Sequence, residues 1–165
     1  MKDKFVKALR NVAYPVCVVS SRYNDREHAI TVSSVTSVSL SPPSLLVCIN
    51  QESSIIESIH KGACVNVNFL GSSQKDIASI CSSRERANER FDNECWVNDA
   101  NNIPFLKNAE ATALSEVINV LEYETHWIVL LEVNSVILNN QGYPDPLLYC
   151  NGVYLDKLPA IGKFQ

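Results

Sequence analysis

Residues 31–50 read TVSSVTSVSLSPPSLLVCIN, and the stretch falls into two parts joined by a corner. Ser33, Ser34, Thr36, Ser37, Ser39 and Ser41 form a dense run of hydroxyls interleaved with Val32, Val35 and Val38. Pro42-Pro43 then forbids continued helix or central strand, because each proline locks φ and lacks an N–H. Leu45 to Ile49 is an apolar run of the length of a buried strand. A strand of hydroxyls feeding a rigid corner and a core strand can offer O–H and backbone N–H groups to a polar ligand.

On the N-terminal side, Ala29 to Val38 reads as one strand with alternating faces. Arg22 to Glu27 is a polar turn before it, and Val16 to Ser20 is an apolar β-rich run. Phe5, Ala8, Leu9 and Val12 recur at helical spacing, which predicts an amphipathic helix over 3–12, closed by Pro15. On the C-terminal side, Ser54 and Glu57 fit a capping box for a short helix that Gly62 ends. Cys64 to Leu70 reads as a core strand, with Val65, Val67 and Phe69 opposite Asn66 and Asn68. Ser73 and Asp76 suggest a second helix start, continued by Ile77 and Ile80. The charged segment 81–96, with Arg84, Arg86 and Arg90, reads as a solvated loop, and 98–103 as a polar turn ending at Pro104. Ala113 to Tyr123, Trp127 to Leu138 and Leu147 to Leu155 are three β candidates. Asn139 to Gly142 is a turn and Asn151-Gly152 a hairpin signal. Strands dominate and helices are peripheral, so the expected fold class is mainly β: one domain over 1–165, an antiparallel barrel with a few helices at its rim.

The totals narrow the function. A chain of 165 residues, 46% apolar, can bury a real core. A net charge of −4 argues against broad nucleic-acid or anionic-membrane binding. No apolar run approaches the roughly 20 residues that span a bilayer, and the charged N-terminus is unlike a signal peptide, so the expected location is cytoplasmic. The six cysteines lack any CxxC pair, and the three histidines lack ligand spacing, so neither a zinc site nor a disulfide framework is expected. Cys17, Cys48 and Cys64 sit in apolar runs, as small buried hydrophobes do. There is no G-x-S-x-G elbow and no P-loop. Hydroxyls, a helix start at Ser53-Ser54 and spare arginines suit an anionic cofactor better than acid–base chemistry by the protein itself.

The order of landmarks resembles the flavin reductase-like family, the small reductase components of two-component flavin monooxygenases such as 4-hydroxyphenylacetate 3-monooxygenase. The landmarks are residues 31–50, then CVNVNFL (64–70), ERF with Cys95-Trp96 (89–96), Ile103-Pro104 with Leu106, THWIVLLEVNSVIL (125–138) and PLLYCNGVY (146–154). The resemblance implies a split β-barrel, a homodimer with FMN or FAD at the subunit interface, and NADH or NADPH as co-substrate. It further implies reduced flavin passed to a partner oxygenase, a flavin-dependent monooxygenase. By position it places Thr31, Val32, Ser33 and Ser34 along the flavin ring and ribityl chain, and Cys48, Ile49 and Asn50 under the ring. Ser53 and Ser54 become phosphate contacts. Arg84, Arg90 and Phe91 become the segment closing over phosphate or ring, and His126 a residue for nicotinamide binding or for steadying charge on reduced flavin. Two departures stand out. Glu124 replaces the glycine expected two residues before His126, and Cys81-Ser82-Ser83 stands where Phe-Ala-Gly is common. The first keeps a second expectation open, a flavin-binding or electron-transfer protein without turnover.

Overall fold

A computed structural model describes residues 1–139 and 142–155. Helix α1 (Lys2–Arg10) precedes the short β1 (Tyr14–Pro15) and the hairpin of β2 (Cys17–Tyr23) and β3 (Arg26–Val32). The hairpin turn is only Asn24-Asp25, with φ of 49° and 62°, a left-handed pair that Asn and Asp tolerate. The broader polar turn expected over 22–27 shrinks because Arg22 and Glu27 pair across the ladder at 2.6 Å.

The strand expected over 29–38 is two strands. β3 stops at Val32 and β4 (Thr36–Leu40) begins four residues later, followed by β5 (Pro43–Asn50). The interruption has a local cause. Ser34 Oγ donates to the Cys48 carbonyl at 2.8 Å and accepts from the Cys48 N–H at 3.2 Å, so a side chain stands where ladder bonds between main chains would continue. Ser53 then caps a 3-10 turn at Ser54–Ser58 without a side-chain bond, so the capping box expected at Ser54 and Glu57 is absent.

Next come β6 (Cys64–Phe69), a 3-10 turn at Ser72–Gln74 and helix α2 (Lys75–Ser82). The start signal is two residues earlier than Ser73 and Asp76 suggest: Gln74 Oε1 accepts the Gly71 N–H at 2.9 Å. A 3-10 turn at Ala87–Glu89 leads to a small hairpin of β7 (Trp96–Asn98) and β8 (Pro104–Leu106), which brackets the expected polar turn. The long hairpin β9 (Ala111–Tyr123) and β10 (His126–Leu138) follows the two predicted strands closely. The two central residues of the turn expected over 139–142, Asn140 and Gln141, lie outside the described residues. The last β candidate is a hairpin of three-residue strands, β11 (Leu148–Cys150) and β12 (Val153–Leu155), turning at Asn151-Gly152 with φ of 48° and 84°.

Seven strands form one antiparallel sheet in the order β3-β2-β6-β9-β10-β5-β4. β1, β11 and β12 form a second sheet, and β7 and β8 a third. The fold is therefore mainly β with two α-helices. No ladder joins β3 to β4, so the large sheet is open at both ends. Its inner face carries Val19, Val47, Ile49, Val67, Val117, Val129 and Leu131, all fully buried in one core. A second core, with Val18, Leu70, Cys81, Leu106 and Leu147, lies against the opposite face of β2. The central strands β2 and β6 are thus covered on both sides, which explains why Asn66 and Asn68 are buried as completely as the valines they alternate with.

Two expectations about burial fail. Cys48 and Cys64 are half-buried, because both lie on faces away from the main core; of these three only Cys17 is a core thiol, its pKa pushed up to about 12 by burial. All six cysteines are free. The apolar stripe of α1 stays uncovered among the described residues: the helix buries no residue, and Phe5 is 61% exposed.

Candidate functional site

The C-terminal end of β5, the 3-10 turn after it, the end of α2 and the charged loop beyond it enclose a cavity of about 380 Å³. Five residues singled out from the sequence meet there: Asn50, Ser53, Ser54, Arg84 and Arg90. Ile30, Glu52, Cys81, Ser82 and Ala87 complete the wall; none of them is a candidate site residue from the sequence, although Cys81 and Ser82 are departures from the pattern of the family it resembles. Ser82 and Cys81 could have been found, because they occupy the altered Phe-Ala-Gly positions.

Arg90 is the electrostatic centre. Its loop reads as solvated in the sequence, yet its side chain is only 8% exposed. One guanidinium nitrogen donates to the Ser83 carbonyl at 2.9 Å and another to Ser54 Oγ at 3.4 Å. Trp96 Nε1 and Asn93 Nδ2 hold the Arg90 carbonyl at 2.6 and 3.3 Å, so the chain on either side is fixed. Nε has no hydrogen-bond partner, and no carboxylate among the described residues lies within ion-pair distance. A buried cation without a counter-ion is costly, and a phosphate at this cavity would supply one. Arg84 differs: it is exposed and donates to the Glu52 carboxylate and carbonyl at 2.9 and 3.1 Å, clipping the rim.

A neighbouring cavity of about 220 Å³ holds Thr31, Val32 and Ser33 against Tyr149 and Tyr154, and Ser82 lines both spaces. The Thr31 hydroxyl donates to the Ala78 carbonyl at 2.6 Å, which ties β3 to α2. The hydroxyls of Thr31 and Ser34 are therefore committed to the fold, while the Ser33 hydroxyl makes no hydrogen bond among the described residues. Tyr149 and Tyr154 meet edge to face, ring centres 5.5 Å apart. The Cys81 thiol is pushed up to about 12 by burial, which keeps it protonated and unreactive at neutral pH.

Residues 9–156 match the family model described as flavin reductase like domain. The chain belongs to the flavin reductase-like family. It is 33% identical over 137 residues to the reductase component of FADH(2)-dependent resorcinol hydroxylase from Rhizobium sp. (strain MTP-10005), covering 83% of this chain and 75% of that one. It is 28% identical over 153 residues to an FMN reductase (NADH) of Ancylobacter novellus, covering 93% and 83%. Among solved structures, a flavin reductase domain protein from Arthrobacter sp. FB24 superposes with a TM-score of 0.88 at 24% identity, covering 99% of this chain and 100% of that one, a likeness of fold.

Within this flavin reductase-like chain the remaining site residues divide. His126 opens β10 directly opposite Asn50 of β5 but does not itself line the first cavity; it is exposed, with Nδ1 2.8 Å from Thr125 Oγ1. Ile49 and Val32 point into the core and act through packing. Cys48 pairs with Ile128 and is bridged by Ser34. Phe91 lies outside both cavities: it packs on Trp96 with ring centres 4.8 Å apart and lines a third cavity on the other side of Arg90.

Glu124 occupies a left-handed backbone position, φ 49°, in the β9–β10 turn. A side chain there is disfavoured by about 1 kcal/mol, partly offset by the entropy a glycine loses. Glu124→Gly is therefore expected to raise the thermal midpoint by about 2 °C. An unchanged or lower midpoint in calorimetry would show that the turn carries no such strain.

Proposed function

We propose that the chain is an NAD(P)H-dependent flavin reductase that supplies reduced FMN or FAD to a partner monooxygenase. The observation that carries this reading is the buried Arg90 beside Ser54, without a counter-ion among the described residues, at a cavity of a chain whose residues 9–156 match the flavin reductase like domain. The relatives' names, a NADH-dependent FMN reductase and a reductase component of a hydroxylase, support the same activity.

Arg90 and Ser54, with Ser53, would hold the flavin phosphate. Ser33 and Asn50 would hydrogen-bond a polar ring or its ribityl chain, while Thr31 ties β3 to α2 and Ser34 ties the start of the β3–β4 connection to β5. The flavin supplies hydride acceptance when bound; the chain contributes orientation, charge and exclusion of water. His126, next to Asn50, is the side chain best placed to contact the nicotinamide amide or to stabilise negative charge on reduced flavin.

The domain is read as single over 1–165 and cytoplasmic. No helix among the described residues is long and apolar enough to cross a membrane. A homodimer would cover two apolar surfaces left exposed among the described residues: the stripe on α1, and the sheet face of β9 that carries Leu121, 58% exposed, and Tyr123, 68% exposed. A second copy packed there would make the open sheet one half of a split-barrel dimer.

The test is anaerobic addition of NADH or NADPH to protein with excess FMN or FAD. Catalytic bleaching of the flavin band is expected; binding without bleaching would leave a carrier instead of an enzyme. His126→Ala should raise the KM for the nicotinamide or lower turnover by about 10-fold, the worth of one hydrogen bond to a charged group. Its thermal midpoint should not move, since the side chain is exposed. Unaltered kinetics would remove His126 from the mechanism.

A further inference from the structure

Arg90 also bounds a further cavity of about 430 Å³, and Ser54, Ala87 and Arg90 line both this space and the first cavity. His28 and Glu57 line the further cavity and not the first, and the mechanism above uses neither. His28 is 6% exposed, and its Nε2 is buried without a hydrogen-bond partner. Glu57 Oε1 stands 3.3 Å from that nitrogen, yet the two do not form a hydrogen bond. The Glu57 side chain is itself 53% exposed, so it reaches both the enclosed ring and water. A buried polar atom left without a bond is costly, and here an acceptor stands one small movement away.

The 3-10 turn at Ser54–Ser58 ties this pair to the phosphate candidates. Residues three apart on such a turn lie one above the other, so Ser54 and Glu57 share a face. The far end of the turn is anchored: Ser58 Oγ donates to the Ile55 carbonyl at 2.6 Å and lies 2.6 Å from Ser21 Oγ of β2. At the near end Ser54 Oγ takes the long 3.4 Å bond from Arg90, and Ser53 makes no side-chain cap. Burial lowers the His28 pKa below its ordinary 6.5; Glu57 opposes this, while Arg26 of β3 and Arg90 reinforce it. Glu27 also lines the cavity, but Arg22 of β2 holds it at 2.6 Å. β2 sets Ser21 opposite His28, α2 turns Ile77, Ala78 and the protonated Cys81 thiol inward, and β5 brings no charged side chain. The His28 ring is therefore neutral at pH 7.

We propose that His28 is a positioning residue for the flavin phosphate: when the phosphate meets Arg90, the His28 imidazole takes up a proton, bonds to Glu57 and locks the Ser54–Ser58 turn against the ligand. The inference rests on the flavin reading above and adds a linked proton to it. A phosphate dianion cancels the repulsion of Arg90 and adds negative charge near the ring, so the imidazolium is favoured in the complex. His28 does not touch the ligand; the charge acts across the cavity wall. The half-exposed Glu57 carboxylate relays the proton from water. Protonation of both ring nitrogens places a donor at Nε2, facing that carboxylate, and the resulting charge-assisted bond holds the face of the turn that carries Ser54. A group that holds its proton more tightly in the complex than in the free chain makes binding stronger as pH falls.

Isothermal titration of the full chain with FMN, in two buffers of different ionisation enthalpy and across pH 5–8, counts the protons taken up per flavin bound. The wild type is expected to take up about 0.3–0.5 proton more than His28→Gln near pH 6. Its FMN affinity relative to that variant should rise roughly 5-fold or more from pH 8 to pH 5. Ionisation of the phosphate itself is common to both chains and cancels in the comparison. Riboflavin, which lacks the phosphate, should show no excess. Because His28 is buried, Glu57→Gln is the second arm: that side chain is half-exposed, so the fold tolerates the change, and the excess should fall by more than half. Equal uptake by the wild type and both variants, or the same excess with riboflavin, overturns the proposal while leaving the reductase reading intact. Failure of the wild type to bind FMN overturns the reductase reading itself, and the proposal with it.

Discussion

Arg90→Ala is expected to weaken FMN binding by one to two orders of magnitude. A hydrogen bond between charged groups is worth about 1.5–3 kcal/mol, and each 1.4 kcal/mol is a decade in affinity. Arg90 is the buried cation at the cavity, already desolvated and without a carboxylate to share it, so little of that energy is lost to water. The same change removes the bonds to Ser83 and Ser54, so some loss of stability accompanies it. Riboflavin separates the two effects, because it has the ring and ribityl chain but no phosphate. Its affinity should fall by less than two- to three-fold while that of FMN collapses. Arg90→Lys should be intermediate, keeping charge but not the planar fork. An equal drop for riboflavin and FMN would mean that Arg90 only braces the loop.

Most of the architecture was legible in 31–50 and in the hairpin signals, because these depend on local chemistry. The apolar run at Leu45–Ile49 became the centre of β5, and Asn151-Gly152 turned where a left-handed pair is needed. What sequence could not show was the reach of individual side chains. Ser34 breaks a strand that alternation alone would continue, because its hydroxyl meets a main chain fourteen residues away. Arg90 reads like Arg84 and Arg86, yet it turns inward while Arg84 pairs with Glu52 and Arg86 with Glu89 at the surface. Nothing local distinguishes them. The difference lies in Trp96 and Asn93, which fix the Arg90 carbonyl from the next turn of chain. Likewise, the family landmarks set Phe91 with Arg84 and Arg90 in one segment closing over phosphate or ring, but only its packing on Trp96 shows that Phe91 lines a different cavity from Arg84.

Asn68 shows the same limit, and changing it should produce the largest loss of stability. The alternation in CVNVNFL sets Asn68 opposite the valines, as on a strand with a polar side. Instead it is fully buried between the two cores and joins four elements. Its Nδ2 donates to the Val18 carbonyl at 2.9 Å and to Ser20 Oγ at 3.1 Å, while Oδ1 accepts from the Leu106 N–H at 2.8 Å and Thr112 Oγ1 at 3.2 Å. Every donor and acceptor of the amide is used, so β2, β6, β8 and β9 are held in register by one side chain. Asn68→Ala leaves the Leu106 N–H and the Thr112 hydroxyl without their acceptor, at about 1–3 kcal/mol for each buried group. A total of about 3 kcal/mol or more corresponds to a fall of roughly 6–12 °C in thermal midpoint for a chain of this size. Asn68→Asp separates hydrogen bonding from packing because its volume is nearly the same. As a carboxylate it would still accept from Leu106 and Thr112, but it would face the Val18 carbonyl with no proton to give. Burial raises the pKa of such a carboxyl in the folded state, so the folded chain binds the proton more tightly than the unfolded one and stability rises as pH falls. The deficit of Asn68→Asp relative to the wild type should therefore be smaller at pH 5 than at pH 8. A deficit independent of pH, or an alanine variant as stable as the wild type, would show that the register is held by the apolar cores alone.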